Sequence, residues 1–261
     1  MSRNLLMLAV FIAISLSSSI GRAGGAATLG VSVPAGQQLS FDQINHAPWD
    51  ALLRKYCDAQ GFVNYQAWQR SNQDQQALDN YLSQLSRAAA NRPAAPAAKL
   101  AFWINAYNAV TIKGILREYP TTSIRNHTAK VFGYNIWDDL LLQVGNRTYS
   151  LNQMEHEVLR KMGEPRVHFA IVCASIGCPP LLNQAYTAGN LENQLRSIQN
   201  VSLPIQENFA LEPISAVSKC RPFCSGLPET LVRTKLPSCG PLLLIFLTEG
   251  PRRWPRAARR P

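Results

Sequence analysis

Charged residues are scarce in this chain, and acidic ones scarcest. Of 261 residues, 16% are charged and 46% hydrophobic, which excludes a solvated chain without a core. Sixteen Asp and Glu stand against 26 Lys and Arg, a net charge of +10. Such an excess invites a nucleic-acid or membrane-surface partner. Its distribution argues otherwise: about half of it lies after residue 200, mostly in the closing PRRWPRAARRP. Glycine-rich phosphate loops and nucleic-acid motifs are absent, so no nucleic acid is an expected partner. Past the first residues, no apolar run approaches the about 20 residues of a membrane span, and PLLLIFL is far too short. The six cysteines (Cys57, Cys173, Cys178, Cys220, Cys224 and Cys239) fit no zinc spacing, so no metal or other cofactor is expected.

What is present begins with an export signal. Arg3 supplies a positive start, LLMLAVFIAISL an apolar stretch of about a dozen residues, and Gly21-Arg22-Ala23 a small-x-small cleavage site. We expect a signal peptide over residues 1–23 and a secreted or periplasmic protein in which disulfides are permitted. Residues 24–40, rich in Gly, Ala, Ser and Val, are expected to be flexible, with the folded domain over 41–199.

Along that domain, HAPWDALLRKYCDAQGFVNYQAW reads as a helix and then a short extended piece at Gly61–Tyr65. LDNYLSQLSRA is amphipathic, with Leu78, Leu82 and Leu85 at helical steps. NRPAAPAA is a loop whose prolines stop that helix. AKLAFWINAYNAVTIKGILREYP is apolar almost all round and so predicts a buried central helix ended by Pro120. Asn105 and Asn108 sit three apart within it. A buried amide costs about 1–3 kcal/mol unless hydrogen-bonded, so each braces backbone or orients a catalytic group. LLLQV-GN-RTYS predicts a hairpin, and Ser150 with Gln153 a capping box opening the next helix.

On that helix, Leu151, Met154, Val158 and Leu159 mark the apolar side. Glu155 falls within it and His156 at its margin, with Asn152 on the same face as His156. An inward carboxylate needs a cation, amides or a proton. RVHFAIVC then predicts a strand whose alternation puts His168 opposite Cys173. That leaves His168 a structural role and makes His156 the better candidate base. Cys173 opens the small-residue loop ASIGCPP. It is a nucleophile whose following amides form an oxyanion hole, a disulfide partner of Cys178, an inert core thiol, or a zinc ligand with His156 and Cys178. His46 and His127 read as surface residues.

AFWINAYNAVTIKGIL, LNQMEHEVLR, EPRVHFAIVCASIGCPPL and QAYTAGNLENQL, in this order, resemble domain-of-unknown-function family 547, which occurs in secreted bacterial proteins and at the end of some plant proteins. The resemblance covers roughly residues 45–198. It implies an α+β fold, with helices on a small antiparallel sheet, akin to papain-like and transglutaminase-like thiol enzymes. It also implies a site with Cys173 as nucleophile, His156 as base and Glu155 as acidic partner, supported by Asn105, Asn108 and Asn152. The expected activity is a cysteine hydrolase or acyl-transferase acting on a peptide- or amide-like substrate. The alternative is a non-catalytic secreted binding domain of the same fold.

After about residue 200 the chain departs from the family. No Asp follows Asp139, no Tyr follows Tyr186, and nine of the 17 prolines lie from residue 200 on. A basic, proline-rich, aperiodic tail is what out-of-frame translation produces. Our hypothesis is a frameshift near residue 200, with a divergent extension as the alternative, and we expect 200–261 to be poorly ordered. Resequencing the locus tests this; an intact frame with the tail expressed refutes it.

Overall fold

The structure is a computed structural model that describes residues 26–121, 135–172 and 179–210, with 203–210 as backbone course only. The signal-peptide residues, His127, Cys173, Cys178 and the tail from residue 211 lie outside the described residues.

The core is centred on α4 (Pro96–Glu118), in which each residue from Leu100 to Ile112 is buried. A helix apolar on all sides has no other place to go. Pro96, expected in the loop before it, opens the helix instead, because the N–H that proline lacks is unpaired at a helix start anyway. On one side lie α1 (Ala47–Tyr56), α2 (Tyr65–Arg70) and α3 (Asn72–Leu85). Their contacts are aromatic: Trp49 stacks on Tyr81 at 5.8 Å between ring centres, and Tyr56 on Trp68 at 4.6 Å. The side chain of Ser71 caps α3 by accepting the amide of Asp74.

Packed against both α3 and α4, a three-stranded sheet runs in the order β1–β2–β3. β2 (Leu140–Val144) and β3 (Arg147–Ser150) form the predicted hairpin, turning at Gly145 with φ +57°. β1 (Ala27–Leu29) pairs with β2 in parallel, Ala27 opposite Leu140. The fold is therefore α+β, but its sheet is mixed rather than antiparallel. The added strand comes from residues 24–40, expected to be flexible. This segment is tied down further on: the Val31 amide donates to Ser86 Oγ, Leu39 bridges to Ala88, and Val33 is buried.

RVHFAIVC is not a strand. Val167–Ala170 forms a short helix, α7, and the chain becomes extended at Ile171. A short apolar run is buried equally well in either form. Here the Arg166 guanidinium fixes the helical option, gripping Glu164 at 2.7 Å and Glu192 at 2.9 Å, at the start of α8 (Leu191–Ala210). The alternation used to set His168 apart from Cys173 therefore does not apply. α8 continues through residue 200, where the composition changes, as far as Ala210.

Candidate active site

Two buried asparagines on α4 grip the chain on either side of residues 173–178. Asn108 donates from Nδ2 to the Ala170 carbonyl at 2.9 Å and accepts the Val172 amide on Oδ1 at 3.0 Å. Asn105 treats Tyr186 the same way, donating to its carbonyl at 2.8 Å and accepting its amide at 2.9 Å. Each side chain replaces a strand partner for a segment that has none, satisfying backbone groups that water does not reach. Both braces were anticipated. Asn108 holds the residue that immediately precedes Cys173.

Glu155 is reached through an irregular helix. Ser150 and Gln153 form the expected capping box, opening α6 (Leu151–Gln153). The chain then widens into a π turn, Met154–Val158, and tightens into a 3₁₀ turn, Leu159–Met162, that stops at left-handed Gly163. Leu151, Met154 and Leu159 are fully buried, as the apolar stripe predicted. Glu155 accepts from Arg160 Nη2 at 2.6 Å and from the Tyr107 hydroxyl at 3.4 Å. Five residues span about 140° on a regular α-helix, so an i,i+5 ion pair requires the wider turn. Single π turns of this kind concentrate at functional sites. Burial, with Glu155 beside it, drives the Tyr107 phenol well above its usual range, so it stays protonated and donates.

His156 is exposed. Together with Asn152, Asp138 and Glu157 it lines an open depression of about 420 Å³, where Asn152 donates to Asp138 at 2.6 Å. Among the described residues no hydrogen bond joins Glu155 to His156, because helix neighbours point about 100° apart. Half-buried His168 feels the charges of Arg160, Glu155 and His156. Burial lowers its pKa, Arg160 and His156 lower it further, and Glu155 opposes them. Sequence reasoning overlooked Tyr107 and Arg160. Tyr107 was signalled by its place between two buried asparagines, whereas Arg160 stands at a spacing that α-periodicity hides.

The segment after residue 178 is held from the far side. Gly61 lies so close to Pro180 that a side chain there would collide with it. Buried Cys57 donates its thiol proton to the Leu181 carbonyl at 3.4 Å, its pKa pushed up to about 12 by burial. Asp50 accepts the Ala185 amide, and Gln194 bonds both Ala185 and Thr187. Beside this segment is a cavity of about 510 Å³ edged by Phe41, His46, Asp50, Ala101 and Gln194. His46, expected at the surface, is half-buried: Nδ1 lies 2.7 Å from the Tyr81 hydroxyl, and desolvation lowers its pKa to about 4.

Among the described residues no group of three His, Cys, Asp or Glu is placed to hold a metal, and no helix is long and apolar enough to cross a membrane. No curated protein and no solved structure gives a significant match to the chain. The stretch that carries both asparagine braces and the Glu155 cluster, residues 92–200, matches the family model of DUF547, described as a protein of unknown function.

Proposed function

We propose that the chain is an exported cysteine hydrolase or acyl-transferase acting on an amide or ester bond of a peptide- or amide-like substrate. Cys173 attacks the carbonyl. A histidine takes the thiol proton, His156 by the family motif, and Glu155 is the acidic member of the site. The papain- and transglutaminase-like relationship implied by the motifs belongs to this reading, as does secretion through the N-terminal signal. One observation supports it above others. Asn108 pins the backbone directly before Cys173, and its neighbour Tyr107 holds Glu155, so one turn of a buried helix positions both the approach to the thiol and the carboxylate. Sites that must hold a reacting geometry are built on rigid supports of this kind.

Iodoacetamide at pH 6, with mass-spectrometric location of the adduct, tests the reading. Selective labelling of Cys173 in the folded chain is the expected result, since an ordinary thiol is almost wholly protonated there. Labelling only after unfolding overturns it and favours the alternative, a secreted binding domain of the same fold. That alternative draws on the exposure of His156 and on the engagement of both Glu155 oxygens elsewhere.

A further inference from the structure

The cavity of about 510 Å³ beside Ala185 is edged by polar side chains in two conditions. Most are engaged within the fold. Asp50 accepts the Ala185 amide on one oxygen at 2.9 Å and Arg54 Nε on the other at 2.6 Å. Asp42 accepts the Ala95 amide. Buried Gln194 is bonded at both ends, to the Ala185 carbonyl and the Thr187 amide. Two neutral side chains remain. Half-buried Gln184 makes no hydrogen bond among the described residues, and His46 uses only one ring nitrogen there. The floor is apolar, built by Phe41, Ile44, Ala98 and Ala101.

The unused nitrogen of His46 is a donor. Nδ1 lies 2.7 Å from the Tyr81 hydroxyl, which has no other partner among the described residues. Tyr81 is fully buried, so its O–H requires an acceptor, and Nδ1 is the one in reach. A neutral imidazole that accepts on Nδ1 carries its proton on Nε2. Burial keeps the ring neutral by lowering its pKa to about 4. Tyr81 and Phe102 flank the ring at 6.0 and 6.3 Å between centres, which fixes the direction of the donor. A fixed neutral N–H, an unused primary amide, an apolar floor and charges already bonded inside the fold suit an uncharged secondary amide. The volume falls within the about 300–1,000 Å³ of small-ligand sites. We propose that this cavity binds the backbone of a neutral peptide-like ligand, His46 Nε2–H donating to one of its carbonyls and Gln184 Oε1 accepting an adjacent N–H. The site goes beyond the thiol-hydrolase reading, since its occupation requires no reaction at sulfur.

The test is an NMR titration of the full mature chain at pH 7 with N-acetyl-alanyl-alanine methylamide, beside the zwitterion alanyl-alanine. In the free protein, the ring nitrogen shifts of His46 should place its proton on Nε2. The capped peptide should then move the His46 ring and the Gln184 side-chain amide saturably. It should bind at least about tenfold tighter than the zwitterion, whose charges would be desolvated without partners. Gln184→Leu and His46→Leu should each weaken the capped peptide about tenfold, the worth of one hydrogen bond. His46→Leu strands the Tyr81 hydroxyl; should that variant not fold, Gln184→Leu and the wild-type ring shifts decide. A proton on Nδ1, no saturable shift at either side chain, equal binding of the zwitterion, or full affinity in Gln184→Leu overturns the inference. Failure of Cys173 to label at pH 6 would remove the thiol-hydrolase reading and leave this site standing.

Discussion

The two flanks of residues 173–178 are held by the same device but set in opposite surroundings. Upstream, His168–Val172 hangs from Asn108 beside a carboxylate, a guanidinium and a second histidine. Downstream, Pro180–Thr187 hangs from Asn105, Asp50, Gln194 and Cys57 beside a cavity whose histidine is kept neutral by burial. The upstream flank meets the Glu155–Arg160 pair through Asn108 and Tyr107 of one helix turn; the downstream flank is gripped by side chains from several elements, one of them Asp50, which is paired with Arg54. Under the proposed thiol-hydrolase reading, the upstream flank leads into the reacting thiol and the downstream flank shapes the cavity beside it.

The sharpest way to break this distinction is to remove each brace. Asn108→Ala and Asn105→Ala each leave a buried carbonyl and amide unpaired and should cost about 2–5 kcal/mol in urea unfolding. Only Asn108→Ala should also slow Cys173 labelling at pH 6 beyond the loss explained by unfolding. Equal effects on labelling would erase the distinction.

The downstream flank carries an acid weakness. The pKa of His46 falls from 6.5 unfolded to about 4 folded. The unfolded chain therefore binds the proton first as pH falls. The stability that this difference contributes is fully present above about pH 6.5 and is lost progressively toward pH 4, a change of roughly 3 kcal/mol. Urea unfolding at pH 7 and 4.5 should show His46→Gln, which keeps a partner for Tyr81, losing less than wild type by about 2–3 kcal/mol. A wild-type slope retained in His46→Gln would place the weakness elsewhere.

In the charged flank, Arg160→Leu should cost about 1–3 kcal/mol, because Glu155 keeps only the long bond to Tyr107. Adding Glu155→Leu should recover part of that loss in a double-mutant cycle; strict additivity would deny the pair its coupling. The smallest effect is expected at the helix entry, where Ser150→Ala removes the cap of α6 for about 1 kcal/mol.

What could be read in advance depended on how local the signal was. The buried helix α4, the Gly145–Asn146 hairpin and the Ser150–Gln153 capping box each declare themselves within one short window. So did the inward Glu155 and the bracing role of both asparagines. β1 was unreadable because its parallel partner lies over 110 residues away, which no local pattern encodes. α7 was misread as a strand because four or five apolar residues suit either geometry. Its helical state is set by Arg166 reaching Glu192 on another element. Arg160 escaped notice for a different reason: its pairing with Glu155 exists only where the helix abandons the period used to search it.

The spacing of Asn105 and Asn108 works as a ruler. Three residues of helix advance about 4.5 Å, and that advance fixes how far apart the two gripped segments stand. An insertion of one residue between them would swing one amide by about 100° and lengthen the ruler by about 1.5 Å. The separation of Val172 from Tyr186 is thus encoded in two letters of α4. Length changes should be tolerated in the NRPAAPAA approach to α4 and excluded between its two asparagines.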